Sequence, residues 1–227
     1  MLTLITPTGD RQVAFSLCEL WMSQQTITEK YEWVVVDDGR EPTTCTMGQE
    51  VVRILQPMAT GLSSLGRNLQ AGLSVAKGDK LVVVEDDDYY GPTYLKKVSG
   101  ALGTSILVGE TPSRYFHVGQ RKFKEWFNTA HASLCQTAFR REAIPAVLSL
   151  CNQNRYIDVD LWQNFGKELG MLYHGSEVVG IKGMPGRKGI SNAHDALGVG
   201  WESDIDLARL RQWIGPDAER YRAYGRV

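Results

Sequence analysis

Lys80-Leu81-Val82-Val83-Val84-Glu85-Asp86-Asp87-Asp88-Tyr89-Tyr90-Gly91-Pro92 is a short apolar run that empties straight into four acids and then a turn. An apolar run of this length with no polar alternation is a strand buried on both faces, the mark of a sheet flanked by helices on both sides. The four acids repel one another at short range, which costs stability unless a cation offsets them. A hard divalent ion, Mg²⁺ or Mn²⁺, does so by taking one or two carboxylates together with substrate phosphates. The plainer alternative is a solvated acidic turn at a strand end.

Outward from this stretch, strands and helical periodicities alternate. Leu2 to Thr6 reads as a buried strand ending at Pro7, Gly9 and Asp10. Val13, Ala14, Leu17, Cys18 and Trp21 recur at helical spacing and predict a helix from about Arg11 to Gln25. Trp33 to Val36 is a second strand, stopped by Asp37-Asp38-Gly39, and Val51 to Leu55 a third. Leu65, Leu69, Gly72, Leu73 and Ala76 share a helical face, with Gly78 as the C-terminal stop. Pro92 suits a first helical position, followed by the stripe Leu95, Val98 and Leu102.

Farther on, Ile106 to Val108 reads as a strand, and Arg114 to Thr137 mixes aromatic, basic and His residues with no clean period. Helices are expected over Glu142 to Cys151 and over Asp158 to Leu169, the latter stopped by Gly170. A late strand over Val178 to Ile181, a Gly/Pro/basic loop over Gly183 to Gly189, and one or two helices over Asp204 to Tyr224 complete the chain. The fold class is therefore α/β, a single domain with a mostly parallel central sheet flanked by helices.

The 227 residues are 43 % hydrophobic and 22 % charged, enough to bury a full core without disulfides or structural metals. A formal net charge of -1 supplies no bulk attraction for a polyanion. Cys18, Cys45, Cys135 and Cys151 are scattered and form no C-x-x-C pair, which reads as reduced thiols of a cytoplasmic protein. The opening Leu-Thr-Leu-Ile-Thr run is too short for a signal-peptide core, and no membrane span is expected.

In open sheets, ligands bind beyond the carboxyl ends of the strands. Three such ends carry polar groups: Thr6-Pro7-Thr8-Gly9-Asp10, Asp37-Asp38-Gly39 and Glu85-Asp86-Asp87-Asp88. The order of "TPT", "VVVDDG" (Val34–Gly39), "GRNLQAGLSVAKGD" (Gly66–Asp79) and "LVVVEDDDYYGP" (Leu81–Pro92) resembles family 2 glycosyltransferases of the GT-A fold. The resemblance is good over residues 1 to 100 and looser to about residue 195. It divides the chain into a nucleotide-binding half (1–100), an acceptor and catalytic half (101–200) and C-terminal helices (201–227).

The resemblance implies that Thr6, Pro7 and Thr8 line the base and ribose. It implies that Asp38, with Asp37 beside it, accepts from the base, and that Arg67 and Asn68 lie near the nucleotide. Counted back from Pro92, Asp87 falls on the metal-binding position and Asp86 on the ribose contact. Glu85 stands where relatives have the first Asp of D-x-D, and Glu85 and Asp88 join the metal set. Tyr156-Ile157-Asp158-Val159-Asp160-Leu161-Trp162 is similar to the family's E-D-x-D-L-W segment, with Ile157 in place of Glu and Asp158 on the catalytic base. By the same likeness His194 is a further metal ligand, and Arg187 and Lys188 cover the diphosphate.

Several of these residues also have plainer readings. Asp37 and Asp38 before Gly39 have the composition of an Asx turn. Asn68 also reads as a buried amide tying two loops, Arg67 as a surface charge, and Asp158 as a carboxylate complementing a helix dipole. His131 reads as structural.

The function implied is a metal-dependent, inverting glycosyltransferase that moves a hexosyl or related sugar from a nucleotide-diphosphate donor to a hydroxyl. A UDP-sugar is the first expectation for the donor, and a saccharide or a hydroxylated nucleobase in DNA for the acceptor. The basic-aromatic stretch from Arg114 to Phe127 is a candidate acceptor wall. Two other classes compete: a nucleotidyltransferase that makes nucleotide-sugars, and a non-catalytic nucleotide-sugar-binding module. The first usually carries a Gly-rich phosphate loop near the N-terminus, and Thr6 to Arg11 holds one Gly.

Overall fold

The computed structural model describes residues 1–55, 64–152, 156–187 and 197–224. β1 (Leu2–Thr8) leads into α1 (Gln12–Ser23), β2 (Tyr31–Asp37) and β3 (Glu50–Arg53), and α2 (Leu65–Val75) returns the chain to β4 (Lys80–Val83). The two-residue β5 (Tyr89–Tyr90), α3 (Tyr94–Ala101) and β6 (Leu107–Thr111) follow. Next come the hairpin of β7 (Ser113–His117) and β8 (Lys122–Trp126), a 3-10 turn over Leu134–Gln136, and β9 (Thr137–Arg140). The chain finishes with α4 (Ile144–Leu150), α5 (Ile157–Leu169), β10 (Gly170–His174), β11 (Val178–Lys182), β12 (Glu202–Ser203), α6 (Ala208–Ile214) and a 3-10 helix over Gly215–Tyr224.

Seven strands form one sheet in the order β10-β6-β9-β4-β1-β2-β3, and five form a second in the order β12-β8-β7-β11-β5. In the first, β4, β1, β2 and β3 are parallel, whereas β9 runs antiparallel to both β4 and β6. The central sheet is thus mixed rather than mostly parallel. The reason is the connection: after β6 the chain makes the β7–β8 hairpin and returns as β9 without a crossover helix, which is what a parallel neighbour requires.

Side-chain alternation along β4 shows why its run is apolar throughout. Leu81 and Val83 join a core with Leu69, Leu73, Val147 and Leu161 beneath α2, α4 and α5. Val82 and Val84 join a second core with Phe15, Cys18, Trp21 and Leu95 beneath α1 and α3. Two glycines let α2 approach this closely. A Cβ on Gly72 would lie 2.6 Å from Ile5 Cγ2, and one on Gly66 would lie 1.8 Å from the Cys151 carbonyl oxygen.

Some expected boundaries shift. α3 starts at Tyr94, so Pro92 precedes the helix instead of opening it. α2 ends at Val75, and the N–H of Gly78 donates to Thr3 Oγ1 at 2.8 Å. Arg114 to Thr137 lacked a period because it is a hairpin whose alternate residues serve two different surfaces, followed by a single 3-10 turn. Among the described residues, no helix is long and apolar enough to cross a membrane.

One buried acid ties β6 to the turn before β11. Glu110 is fully buried, and its Oε1 accepts from the N–H groups of Glu177 (2.8 Å) and Val178 (2.9 Å). Burial pushes its carboxyl up to about 7 against the lowering effect of these two N–H groups. The folded chain therefore holds this proton more tightly than the unfolded chain. Stability from this site is present below the ordinary glutamate pKa of about 4.5 and is lost as pH rises through about 7, a difference of roughly 3 kcal/mol. Urea unfolding of Glu110→Gln is expected to lose that share of the pH dependence between about pH 5 and pH 8. Identical pH profiles for variant and wild type would contradict the assignment.

Candidate active site

Because β1, β2 and β4 are parallel, Thr8, Asp37 and the acids that follow Val83 leave the sheet at one edge. A cavity of about 520 Å³ opens there, bounded by residues from both sheets. Asp86 and Asp87 are buried at its floor beside the half-buried Glu85, and Asp88 is buried next to them.

Two cations from distant parts of the chain are set among these acids. Arg11, entering α1, donates from Nη1 to Asp86 Oδ1 at 2.7 Å and from Nη2 to Asp87 Oδ2. Thr8 Oγ1 donates to the other oxygen of Asp86 at 2.7 Å. Lys182, buried at the end of β11, places Nζ 3.8 Å from Asp88 Oδ1, which also accepts from the Ile181 N–H at 2.7 Å. Burial pulls the pKa of Lys182 down, but Asp88, Asp87 and Glu85 outweigh it and the net shift is upward. Arg11 behaves in the same way, with Asp87 and Asp86 opposing its desolvation. Burial raises Glu85, Asp86 and Asp88, and neighbouring carboxylates raise them further, while Arg11 and Lys182 pull Asp86 and Asp88 back.

With every group ionised, two cations against four acids leave two negative charges, the charge of one divalent ion. Glu85, Asp87 and Asp88 each offer an oxygen within 4.8 Å of the others. Asp88 Oδ2 is buried without a hydrogen-bond partner among the described residues. An all-oxygen donor set with an orphaned carboxylate oxygen fits a hard cation of the Mn²⁺ or Mg²⁺ type. The acidic run is therefore not a solvated turn.

At the end of β2 the two aspartates have separate roles. Asp37, fully buried, accepts from the N–H of Gly39 (2.9 Å) and of Thr43 (2.6 Å) and pairs with Arg53, so it shapes the loop after β2. Asp38 accepts from Arg67 Nη2 at 3.2 Å and from Arg187. Burial raises its carboxyl, but Arg187, Ser64 and Asn68 lower it by more. Asn68 is buried and ties the start of α2 to this carboxylate, so the buried-amide reading holds for it. Arg67 is ion-paired and is no loose surface charge.

Across the cavity, Asp158 occupies the first turn of α5. Burial raises its carboxyl against hydrogen bonds from the backbone of its own turn and of Leu134 and against the nearby His131. A carboxylate with raised pKa is better matched to accepting a proton near neutrality than an exposed one. The residue before α5, Tyr156, has a left-handed backbone (φ 60°) and is 58 % exposed at the mouth.

Pro7, Thr8, Asn68, Glu85, Asp86, Asp87, Asp158 and Arg187 all line this one cavity, although the sequence separates them by up to 180 positions. Thr6, Asp37, Asp38, Arg67 and Asp88 do not line it. Thr6 is buried and accepts from the Trp33 indole N–H at 2.9 Å, Asp38 pairs with the lining Arg187, and Asp88 lies beside the lining Glu85 and Asp87. Lys188 and His194 lie outside the described residues. Sequence reasoning missed Arg11, Lys182 and the placement of His131 on the cavity wall. A legible signal existed for Lys182: a lone charge ending the apolar strand Val178-Val179-Gly180-Ile181.

No family model matches the sequence, and no curated protein does. Solved structures do share the fold. TarS of S. aureus (residues 1-349, in complex with UDP-GlcNAc) superposes with a TM-score of 0.57 at 15 % identity, covering 87 % of this chain and 61 % of that one. The mannosyltransferase PcManGT from Pyrobaculum calidifontis, in complex with GDP-Man and Mn²⁺, gives a TM-score of 0.51 at 15 % identity, covering 78 % and 56 %. Against the longer TarS structure this chain covers 36 % of the length, so it spans between about a third and three fifths of the structures it matches. The fold of the chain is that of these glycosyltransferases.

Proposed function

We propose that the chain is a metal-dependent, inverting glycosyltransferase that moves a hexosyl or related sugar from a UDP-sugar to a hydroxyl group. The observation that carries this reading is the opening of two carboxylate groups into one cavity: Glu85 and Asp87 of the acidic cluster, with Asp88 against them, and Asp158. Likeness of fold to TarS with UDP-GlcNAc and to a mannosyltransferase with GDP-Man and Mn²⁺ supports it. A divalent ion held at the cluster would supply positive charge to the departing diphosphate.

The chain's own groups divide the remaining work. Glu85, Asp87 and Asp88 hold the ion, and Arg11 and Thr8 fix the orientation of Asp86 for a ribose contact. Asp38 recognises the base once Arg187 exchanges it for the diphosphate, with Arg67 and Asn68 holding Asp38 in place and Asp37 shaping the adjoining loop. Pro7 flanks the base. Asp158 takes the proton from the acceptor hydroxyl as it attacks the anomeric carbon, the arrangement of an inverting transfer.

The test is a screen of UDP- and GDP-sugars for nucleotide release with Mn²⁺ or Mg²⁺. Slow UDP release that stops on chelation is expected. Pyrophosphate-dependent exchange in place of release would identify a nucleotidyltransferase. Because the metal needs ionised carboxylates and burial raises the pKa of Glu85, Asp86 and Asp88, Mn²⁺ affinity is expected to fall as the solution is acidified. Affinity independent of pH between about 5 and 8 would count against this ligand set.

A further inference from the structure

Beyond the donor half, the cavity has a wall of a different chemistry, supplied by the second sheet. β7 and β8 pair with Tyr115 opposite Lys124, and β8 pairs with β12 with Phe123 opposite Glu202. Side chains alternate across a strand, so Tyr115, Lys124 and Trp126 share one face, while Arg114, Phe116, Phe123 and Glu125 share the other. The second set turns away from the cavity: Arg114 pairs with Glu125 at 2.7 Å and lies over Trp213, and Phe123 meets the same indole edge-on at 5.6 Å. The first set turns toward the cavity and is joined there by Trp201, the residue before β12. This division explains the basic-aromatic pattern from Arg114 to Phe127 that periodicity alone could not resolve.

The wall is built and held. The ring of Tyr115 lies against Gly180, where a Cβ would come within 2.5 Å of Tyr115 Cδ1, and its hydroxyl bonds Ser133. Trp126 meets Tyr115 at 6.2 Å and 67°, and Lys124 sits 4.4 Å from the centre of its indole while donating to the Val199 carbonyl at 2.9 Å. Despite this support Trp126 remains 42 % exposed, and Tyr156 brings a second exposed ring to the mouth beside Asp158. Holding a non-glycine residue in the left-handed region costs about 1 kcal/mol or more, and such strain clusters at functional sites.

We infer that this strip, Trp126 and Trp201 with Tyr156 opposite, is the acceptor subsite and that it takes an uncharged saccharide ring. The inference rests on the transferase reading above. A sugar ring has an apolar C–H face that lies on an indole and hydroxyls at its edge, and the cavity lining supplies both partners: the indoles of Trp126 and Trp201 among the polar groups of Lys124 and Ser133. Asp158, the proton acceptor of the proposed transfer, lines the same cavity. A hydroxylated base in duplex DNA is the competing acceptor. It would arrive on a polyanion, and a chain of net charge -1 supplies no bulk electrostatic attraction for one.

The experiment titrates the full chain, loaded with Mn²⁺ and UDP, with an array of uncharged oligosaccharides and, in parallel, with duplex DNA carrying hydroxymethylated pyrimidines. Tryptophan fluorescence and calorimetry read the binding. At least one oligosaccharide is expected to bind saturably, and the DNA is not. Trp126→Ala and Trp201→Ala are each expected to weaken the saccharide by roughly tenfold or more, Trp126→Phe by less, with UDP affinity within about twofold of wild type throughout. Binding of DNA in preference to every oligosaccharide, no oligosaccharide binding, or unchanged affinity in both alanine variants would overturn the assignment. If the wild-type chain binds UDP, only this assignment falls; if it does not, the transferase reading falls first and the acceptor subsite with it.

Discussion

Asp87→Ala is expected to weaken Mn²⁺-dependent binding of the donor nucleotide by roughly a hundredfold or more, with the fold intact. Asp87 is 5 % exposed and offers an oxygen within 4.8 Å of those of Glu85 and Asp88, so in the proposed site its loss would remove one of three carboxylate ligands. Arg11 keeps its 2.7 Å pair with Asp86, so no buried cation is stranded. Like charges this close repel by roughly 3–4 kcal/mol per pair at an effective dielectric near 20, so relief of that repulsion offsets the loss of the Arg11–Asp87 pair in the metal-free protein. A melting temperature equal to or above that of wild type, together with lost UDP affinity in the presence of Mn²⁺, separates a ligand from a structural residue. Unchanged UDP affinity by titration calorimetry would mean that the ion, if it binds, binds elsewhere.

The second large effect is expected at the opposite wall. Asp158→Asn keeps the size of the side chain and a carbonyl oxygen that accepts the N–H groups at the start of α5. What it removes is the ability to take a proton. Transfer to the acceptor is expected to fall by roughly a hundred- to ten-thousandfold while UDP affinity stays within about twofold of wild type. The pH profile carries a further sign. Because burial raises the Asp158 carboxyl, wild-type transfer falls as pH is lowered through that raised value, and the residual activity of the variant lacks this limb. Full transfer activity in the variant would remove Asp158 from the mechanism and leave it as a carboxylate complementing the helix dipole.

Much of the N-terminal half was legible because its determinants are local. The continuous apolar strands at Leu2, Trp33 and Leu81, the helical stripes between them and the polar strand ends all lie within windows of ten to twenty residues. Chain direction then delivers those ends to one rim, which brings Pro7, Thr8, Asp86 and Asp87 to one cavity. Asp158, in the first turn of a helix, stands out in the sequence only through the likeness of residues 156–162 to the E-D-x-D-L-W segment. The mixed sheet was not legible, because the direction of β9 is set by its pairing with β4 and β6, residues Lys80 to Val82 and Leu107 to Gly109, and no feature of Thr137–Arg140 records it. The hairpin from Ser113 to Trp126 was obscured for a related reason. Both of its faces are occupied, one by α6 and the other by the cavity wall, so aromatic and basic residues alternate without a polar side.

The sequence by itself determined the layered α/β plan, the strand end that carries the acids, and the clustering of carboxylates at one rim, since periodicity, strand polarity and charge are properties of the chain in order. Tertiary structure alone decided how the charge of that rim is balanced. Arg11 and Lys182 come from positions 75 and 94 residues away from Asp86 and Asp88, and only folding brings them among the acids. It also separated Asp37, which shapes a loop, from Asp38, which faces Arg67 and Arg187, because adjacent residues at a strand end point in opposite directions and meet different partners. The physical reason is the same in each case. Burial and Coulomb energies depend on distance in space, and a chain read in order carries no such distance until it folds.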